Sequence, residues 1–344
     1  MNVSSKIVNY LLASIAVVFV LIYLKSVLIP FVFAFITWFL IQGVRLKLDK
    51  IYVIRKRVPL WLKNILSFIV IYGLISVVIS FISADLASLN EKIPGYEKNL
   101  LDVEESLNQF VDRDIVDKAL NVIEEVDVAS IISQSVAAIS SLLGNIFLVL
   151  LYVIFMIAES NKASKKVRNL FVAEPEKQKK VNEILAMINK SISKYISLKT
   201  IVSLITGTLS YVVLVFIGVD FAAFWAVLIF ALNFIPTIGS LVATLFPAFM
   251  ALLQFGEVGP FLWVLILIGV IQVIVGNFLE PKIMGDSLNI SSLVVLFSLA
   301  FWGLIWGIEG MILCVPLTVI LIIVLARFPN TRPIAILLSE NGQV

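Results

Sequence analysis

From Asn233 to Pro316 the chain is almost uninterrupted apolar sequence. It nevertheless carries Asn233-Phe-Ile-Pro-Thr-Ile-Gly239, Pro247, Glu280-Pro-Lys-Ile-Met-Gly285 and a Gly-rich turn before Pro316. Hydrocarbon offers no hydrogen-bond partner, so every backbone polar group at membrane depth has to be satisfied internally, and Pro, Gly, Asn and Glu there are costly. Helix breaks at that depth are tolerated mainly where the backbone is buried in protein or lines a wet cavity, which is how broken helices build sites inside a bilayer. This stretch therefore marks where function is expected to reside.

The remaining composition agrees with a membrane chain. Of 344 residues 60% are hydrophobic, and the mean hydropathy is +1.07, well beyond an ordinary soluble domain. A net charge of +3 gives no reason to expect nucleic acid as a partner. The single cysteine, Cys314, excludes an internal disulfide framework and a cysteine metal cluster. The absence of histidine removes the commonest metal ligand, the usual proton shuttle and every Ser-His or Cys-His catalytic arrangement. An enzyme is not expected, nor a cofactor. Apolar runs of about 20 residues, the length that crosses a ~30 Å core, fall at 7–24, 27–44, 64–83, 136–158 and 200–219, followed by the dense block 221–326. The first run is read as a retained span, because no small-x-small cleavage site follows Tyr23.

Charge gives the orientation. Residues 45–63 carry seven basic side chains against Asp49 alone, and residues 159–199 carry ten against four acids. Residues 84–130 hold twelve acids against four bases. Positive loops stay on the cytoplasmic side, which puts 45–63 and 159–199 inside and 84–130 outside, in correct alternation. Arg327 and Arg332 place the C-terminus inside too, so the number of crossings is even. Three full crossings plus re-entrant hairpins in 221–326 would give eight in all.

Both extramembrane segments read as helical. In the outer one Tyr96, Leu100, Val103, Leu107 and Phe110 form an apolar stripe, continued by Ile115, Ala119, Ile123 and Val126. Such a stripe packs a helical hairpin on itself or on the membrane, or joins subunits. The inner segment opens with Glu174-Pro175-Glu176 and continues as a basic amphipathic helix through Val181, Ile184, Ile188, Ile192 and Ile196. That pattern suits the anionic inner leaflet, and the helix is expected to run on into the fifth span.

Inside the block, Asn233, Pro236 and Gly239 separate two apolar runs that are each short for a crossing, which points to a re-entrant tip. Thr237 and Ser240 there either satisfy the freed backbone or face a solute. Gln272, Gly276 and Glu280 follow at i, i+4 and i+8 and are expected to share one helical face, with Asn277 beside them. Glu280 is either an intramembrane functional carboxylate or an interfacial one that pairs with Lys282 or caps a turn closed by Pro281 and Gly285. Gly303-x-x-x-Gly307 has the close-packing spacing of membrane helices. As one helix, 290–326 would run about 55 Å, too long for one untilted span. A turn is therefore expected near Trp306–Gly310, with Glu309 at its tip and Pro316 breaking the return helix.

In their order these features resemble the autoinducer-2 exporter family of prokaryotic membrane proteins. The resemblance rests on Asn233-Phe-Ile-Pro236-Thr-Ile-Gly239, Pro247, Gln272, Glu280-Pro281-Lys282-Ile-Met-Gly285, Gly303, Trp306-Gly307, Gly310 and Pro316. Glu309 departs from it, an apolar residue being usual at that place. The resemblance implies a multi-span inner-membrane (AI-2E family) transporter; some members are assigned to export of autoinducer-2 and others to sodium/proton exchange. The expectation is an all-α integral membrane protein with about eight transmembrane helices, Pro/Gly-broken re-entrant hairpins in the C-terminal half and an extramembrane helical insert. Its segments are 1–83 (three N-terminal helices), 84–135 (external amphipathic segment), 136–199 (fourth helix and basic cytoplasmic helix), 200–326 (transport core) and 327–344 (cytoplasmic tail). Asn233, Thr237, Gln272, Asn277 and Glu280 are the candidate solute or ion contacts. Pro236, Gly239, Pro281, Gly285, Gly307, Gly310 and Pro316 are the candidate breaks and hinges. The expected partners are the lipid bilayer, a small-molecule or cation substrate and further copies of the chain in a homo-oligomer. A sodium/proton exchanger (antiporter) and a non-transporting scaffold or passive channel remain as alternatives. No P-loop pattern is present, so ATP-driven transport by this chain alone is not expected.

Overall fold

The computed structural model describes residues 3–87, 95–96, 99, 146–171, 174–284 and 289–343. Its helices are α1 (Val3–Tyr23), α2 (Lys25–Leu48), α3 (Tyr52–Arg57), α4 (Leu60–Ala87), α5 (Ile146–Leu170) and α6 (Pro175–Ile217). They continue with α7 (Ala222–Leu232), α8 (Ile238–Phe255), α9 (Val258–Ile274), a π-helical turn (Val275–Leu279), α10 (Glu280–Met284), α11 (Ser292–Leu325) and α12 (Arg332–Leu338). Among the described residues there is no strand. Among the described residues five stretches are long and apolar enough to cross a membrane: α2, α6, α8, Val258–Ile283 and α11; shorter apolar segments lie in α1, α4, α5 and α7. The basic amphipathic helix does run on into the fifth span, as the single 43-residue helix α6, about 65 Å long.

The packing is inverted relative to a soluble protein. On the second half of α6 the buried positions are Lys199, Val202, Ser203, Thr206, Gly207, Ser210 and Leu214, while Leu204, Leu209, Val212 and Phe216 are exposed. A helix that hides Ser203, Thr206 and Ser210 and presents Leu, Val and Phe outward is solvated by lipid rather than water. The chain is an all-helical, multi-pass membrane protein.

Two compact units result, the first drawn from Met1–Ser67, Asn145–Ser197 and Asp286–Val344, the second from Phe68–Gly144 and Leu198–Gly285. In the first, α2 packs along α5, with Phe31 edge-on to Tyr152 at 5.6 Å and Ala34 and Val153 fully buried. Within the basic stretch after α2, buried Lys63 pairs with Asp49 at 2.5 Å. The helical path of α11 is interrupted at Gly307 (φ 67°, ψ −142°), a conformation open in practice only to glycine. The chain reverses there. Trp302 Nε1 donates to Thr318 Oγ1 at 3.2 Å, and Thr318 Oγ1 donates to Ser298 Oγ at 2.9 Å, contacts that a straight helix would hold more than 20 Å apart. A β-carbon on Gly310 would lie 1.9 Å from the Trp302 carbonyl oxygen, so the two arms meet backbone to backbone. Helical geometry continues through Pro316 to Leu325, so the break is at Gly307 and not at Pro316. Proline removes one backbone donor, a loss that neighbouring helices and local adjustment absorb in membrane helices. At the hairpin's turn Trp306 Nε1 donates to the Leu21 carbonyl at the end of α1, 3.0 Å away.

The second unit is built the same way around α7 and α8. Trp225 and Phe246 face each other across the pair at 6.4 Å, within a core of Phe224, Ile229, Met250, Val264 and Ile268. A β-carbon on Gly239 would sit 1.8 Å from the Leu232 carbonyl oxygen. Helix α7, at 11 residues, is about 16 Å long, too short to cross hydrocarbon alone. At the opposite end of α8, Asn99 Nδ2 donates to the carbonyls of Leu253 (3.1 Å) and Gln254 (2.6 Å), which the helix end leaves unpaired. Beside it Tyr96 donates to Asp220 at 2.9 Å. The outer apolar stripe apart from Tyr96 lies outside the described residues.

Gly239→Ala and Gly310→Ala are each expected to lower stability by about 3 kcal/mol or more, since a backbone oxygen has to move. Gly73→Ala and Gly276→Ala, where nothing lies within 4 Å of the new carbon, are expected to be neutral or mildly stabilising. Thermal unfolding in detergent checks the contrast. Burial and the Asp220 carboxylate raise the Tyr96 pKa above its ordinary value of 10.0. The fold therefore favours the neutral phenol, and the stability it contributes is present at neutral pH and falls as pH rises past 10. Tyr96→Phe is expected to flatten that alkaline loss, read as Tm against pH.

Candidate functional site

The second unit holds a row of buried polar side chains on one face of α6. Lys199 is 6% exposed, and Ser203, Thr206 and Ser210 are fully buried, at the helical spacing i, i+4, i+7 and i+11. The row begins with an ion pair: Lys199 Nζ lies 2.5 Å from Glu280 Oε1, with the side chains 8% and 23% exposed. One turn further, Ser203 Oγ accepts from Asn233 Nδ2 at 3.0 Å. Thr206 turns back on its own helix to the Val202 carbonyl at 3.0 Å. Ser210 Oγ has no hydrogen-bond partner. Trp225 Nε1 on α7 and Gln272 Nε2 on α9 are also buried without one. Buried donors are ordinarily paired, so among the described residues these three are hydrogen-bonding capacity left unused.

The π-helical turn explains how Gln272 and Glu280 come to face inward together. Over eight residues a regular α-helix rotates them about 80° apart, whereas one extra residue in the ladder brings them to within about 20°. The Glu280 N–H donates to the carbonyl of Val275, five residues back. Gly276 and Asn277 are pushed outward and both are exposed. The expected three-residue face is thus corrected to two, Gln272 and Glu280. The same turn fixes Glu280's partner, because exposed Lys282 is only two residues on and points elsewhere.

Asn233 closes α7 and starts the tight connection into α8. Pro236 presets the entry, and Thr237 follows at φ 61°, ψ −60°, with Ile238 N donating to the Pro236 carbonyl at 2.6 Å. That is a γ-turn of the rare, strained kind, and on a β-branched residue it is held only by its surroundings. Ser240 donates to the Thr237 carbonyl at 2.9 Å, so Ser240 serves the backbone, while the Thr237 side chain is exposed. Pro281 is exposed on α10. Gly285 and Asp286 lie outside the described residues. Gly307, Gly310 and Pro316 belong to the α11 hairpin of the first unit, where the Gly307 turn carries Glu309. Among the described residues no three His, Cys, Asp or Glu side chains come together as a metal site.

The AI-2E family transporter model matches residues 11–330. The chain belongs to that family. It is 33% identical over 294 residues to the AI-2 transport protein TqsA of Escherichia coli (strain K12), covering 84% of each chain. A provisionally named transport protein of Haemophilus influenzae is 34% identical over 292 residues, covering 83% of this chain and 84% of its own. A third, provisionally named YhhT, from Escherichia coli (strain K12), is 28% identical over 306 residues, 89% of this chain and 83% of its own. Family membership makes the chain a transporter by descent.

Sequence reasoning missed Lys199, Ser203, Thr206, Ser210 and Trp225. The signal for the first four was present: polar residues at 3.6-residue period in an otherwise apolar span. Lys199 was hidden by its place at the end of a lysine-rich segment, where topology alone accounts for positive charge. The Asn233–Ser203 bond is expected to show coupling. Ser203→Ala and Asn233→Leu each cost about 1–3 kcal/mol by stranding a buried partner, and the double variant costs less than the sum. A double-mutant cycle of thermal unfolding measures it; strict additivity would mean the bond carries no net energy.

Proposed function

We propose that the chain is a secondary transporter moving a small polar solute across the inner membrane by alternating access, with both termini cytoplasmic. The observation that carries this reading is the buried polar row on lipid-solvated α6. A hydroxyl-lined face ending in an ion pair is costly among apolar helices unless it is used. Solute contacts are assigned to Asn233, Gln272, Glu280, Ser210 and Trp225, with Thr237 and exposed Asn277 as approach positions. The breaks at Pro236–Gly239 and Gly307–Gly310 supply the hairpins, read here as re-entrant, that let the core of 200–326 rearrange. The name of the TqsA relative makes autoinducer-2 the first solute to test. With no histidine in the chain, a carboxylate is the natural carrier of a coupling proton, and Glu280 is the one placed among the polar row.

The test is flux into proteoliposomes under an imposed pH gradient, with autoinducer-2 and Na⁺ offered in parallel. Autoinducer-2 flux that Glu280→Gln weakens at least tenfold, in protein that still folds, is the expected result. Sodium flux with proton countermovement would move the assignment to an antiporter. Silence toward both, together with activity that depends only on the outer segment 84–135, would favour a scaffold.

A further inference from the structure

We propose that Lys199 is a specificity-determining residue: a tethered cation that occupies the Glu280 carboxylate and closes the site to free monovalent cations. The proposal rests on the transporter reading above and names the class of solute, neutral or anionic, that the site admits. Three observations meet here. The ammonium lies 2.5 Å from the carboxylate with its side chain 8% exposed, so it is not a surface charge making an occasional visit. An unpaired ammonium in that place would bear the full desolvation penalty, which binds the pair together. The other cation on the Glu280 helix, Lys282, is exposed and cannot substitute.

Charge balance supplies the rest. Among the described residues no cluster of three acidic, cysteine or histidine side chains forms. Glu280 is the carboxylate paired with this row, and Lys199 brings the pair to zero net charge. An entering Na⁺ would raise a poorly solvated site to +1, which a low-dielectric surround strongly disfavours. The same carboxylate without Lys199 would be a hard oxygen ligand at −1. The Ser203 hydroxyl, one turn from Lys199, and the Asn233 amide bonded to it lie on the same row. Hard cations favour oxygen ligands of this kind. One ammonium then separates a solute site from a cation site.

The experiment measures Tm of the purified full-length protein at fixed pH and ionic strength, in NaCl against choline chloride. Wild type and Lys199→Arg are expected to show the same Tm in both salts. Lys199→Met is expected to be less stable in choline and to gain several degrees, saturably, with Na⁺, as ligand binding to the folded state requires. Lys199→Met combined with Glu280→Gln should lose that response. Lys199→Gln serves if Lys199→Met does not yield folded protein. A saturable Na⁺ response in wild type as large as in the variant would overturn the proposal. So would folded Lys199→Met or Lys199→Gln protein indifferent to Na⁺. A merely structural lysine would lower Tm equally in both salts. Because the readout is cation binding rather than flux, a failed transport assay and a failed Lys199 proposal remain distinguishable.

Discussion

A backbone carbonyl in hydrocarbon has nowhere to go but another part of the chain, and both hairpins of this protein depend on that constraint. At each reversal an arm is drawn in until a carbonyl oxygen, Leu232 in one unit and Trp302 in the other, sits where residue 239 or residue 310 would carry a β-carbon. Contact this close keeps the turn dry and compact, and it fixes the residue type as glycine. The hairpins then bring side chains from well-separated positions face to face, the Trp302–Thr318–Ser298 chain in one case and the Trp225–Phe246 contact in the other. The polar contacts across each hairpin are placed by those reversals.

Against this background the Lys199–Glu280 pair is a costly arrangement. Two ions taken out of water recover their desolvation only through close, directional contact. Lys63–Asp49 in the first unit shows the same physics in a setting where topology explains it, a basic stretch next to a span. What separates the two is company. Lys199 begins a row of fully buried hydroxyls, Ser203, Thr206 and Ser210, on one helix face, whereas Lys63 is followed by Ser67, which donates back to the Lys63 carbonyl.

Much of this was legible in the sequence, because spans, hairpin breaks and the long amphipathic entry to α6 are local patterns. Asn233, Pro236 and Gly239 announce a turn by residue type alone, and Gly307–Gly310 another. The rest turned on long-range pairing or on small departures from regular geometry. Glu280 meets a lysine 81 residues away, and nothing in the local spacing favours that partner over Lys282. The γ-turn at Thr237 sits on a β-branched residue that propensity would place elsewhere. Pro316 was read as a break on residue type, whereas Gly307 one hairpin arm earlier had already made the reversal. Asn99, which closes the end of α8, lies 154 residues from the carbonyl of Leu253 that it serves.

The π-helical turn has a consequence for how the gene can change. Because Val275–Leu279 contains one residue more than a regular helix needs, the stretch stores an insertion. Losing any one of those five residues would relax it to α-helix without breaking the span. The edit would leave Gln272 and Glu280 seven residues apart on a regular helix, still within about 20° of one face, so the carboxylate would keep its inward place. A single codon deletion there is absorbed without turning the site, whereas the same deletion in the regular helix between Gln272 and the turn would rotate Glu280 by about 100° relative to Gln272. The segment therefore holds one residue of spare length beside the site, and the orientation of the carboxylate survives its loss.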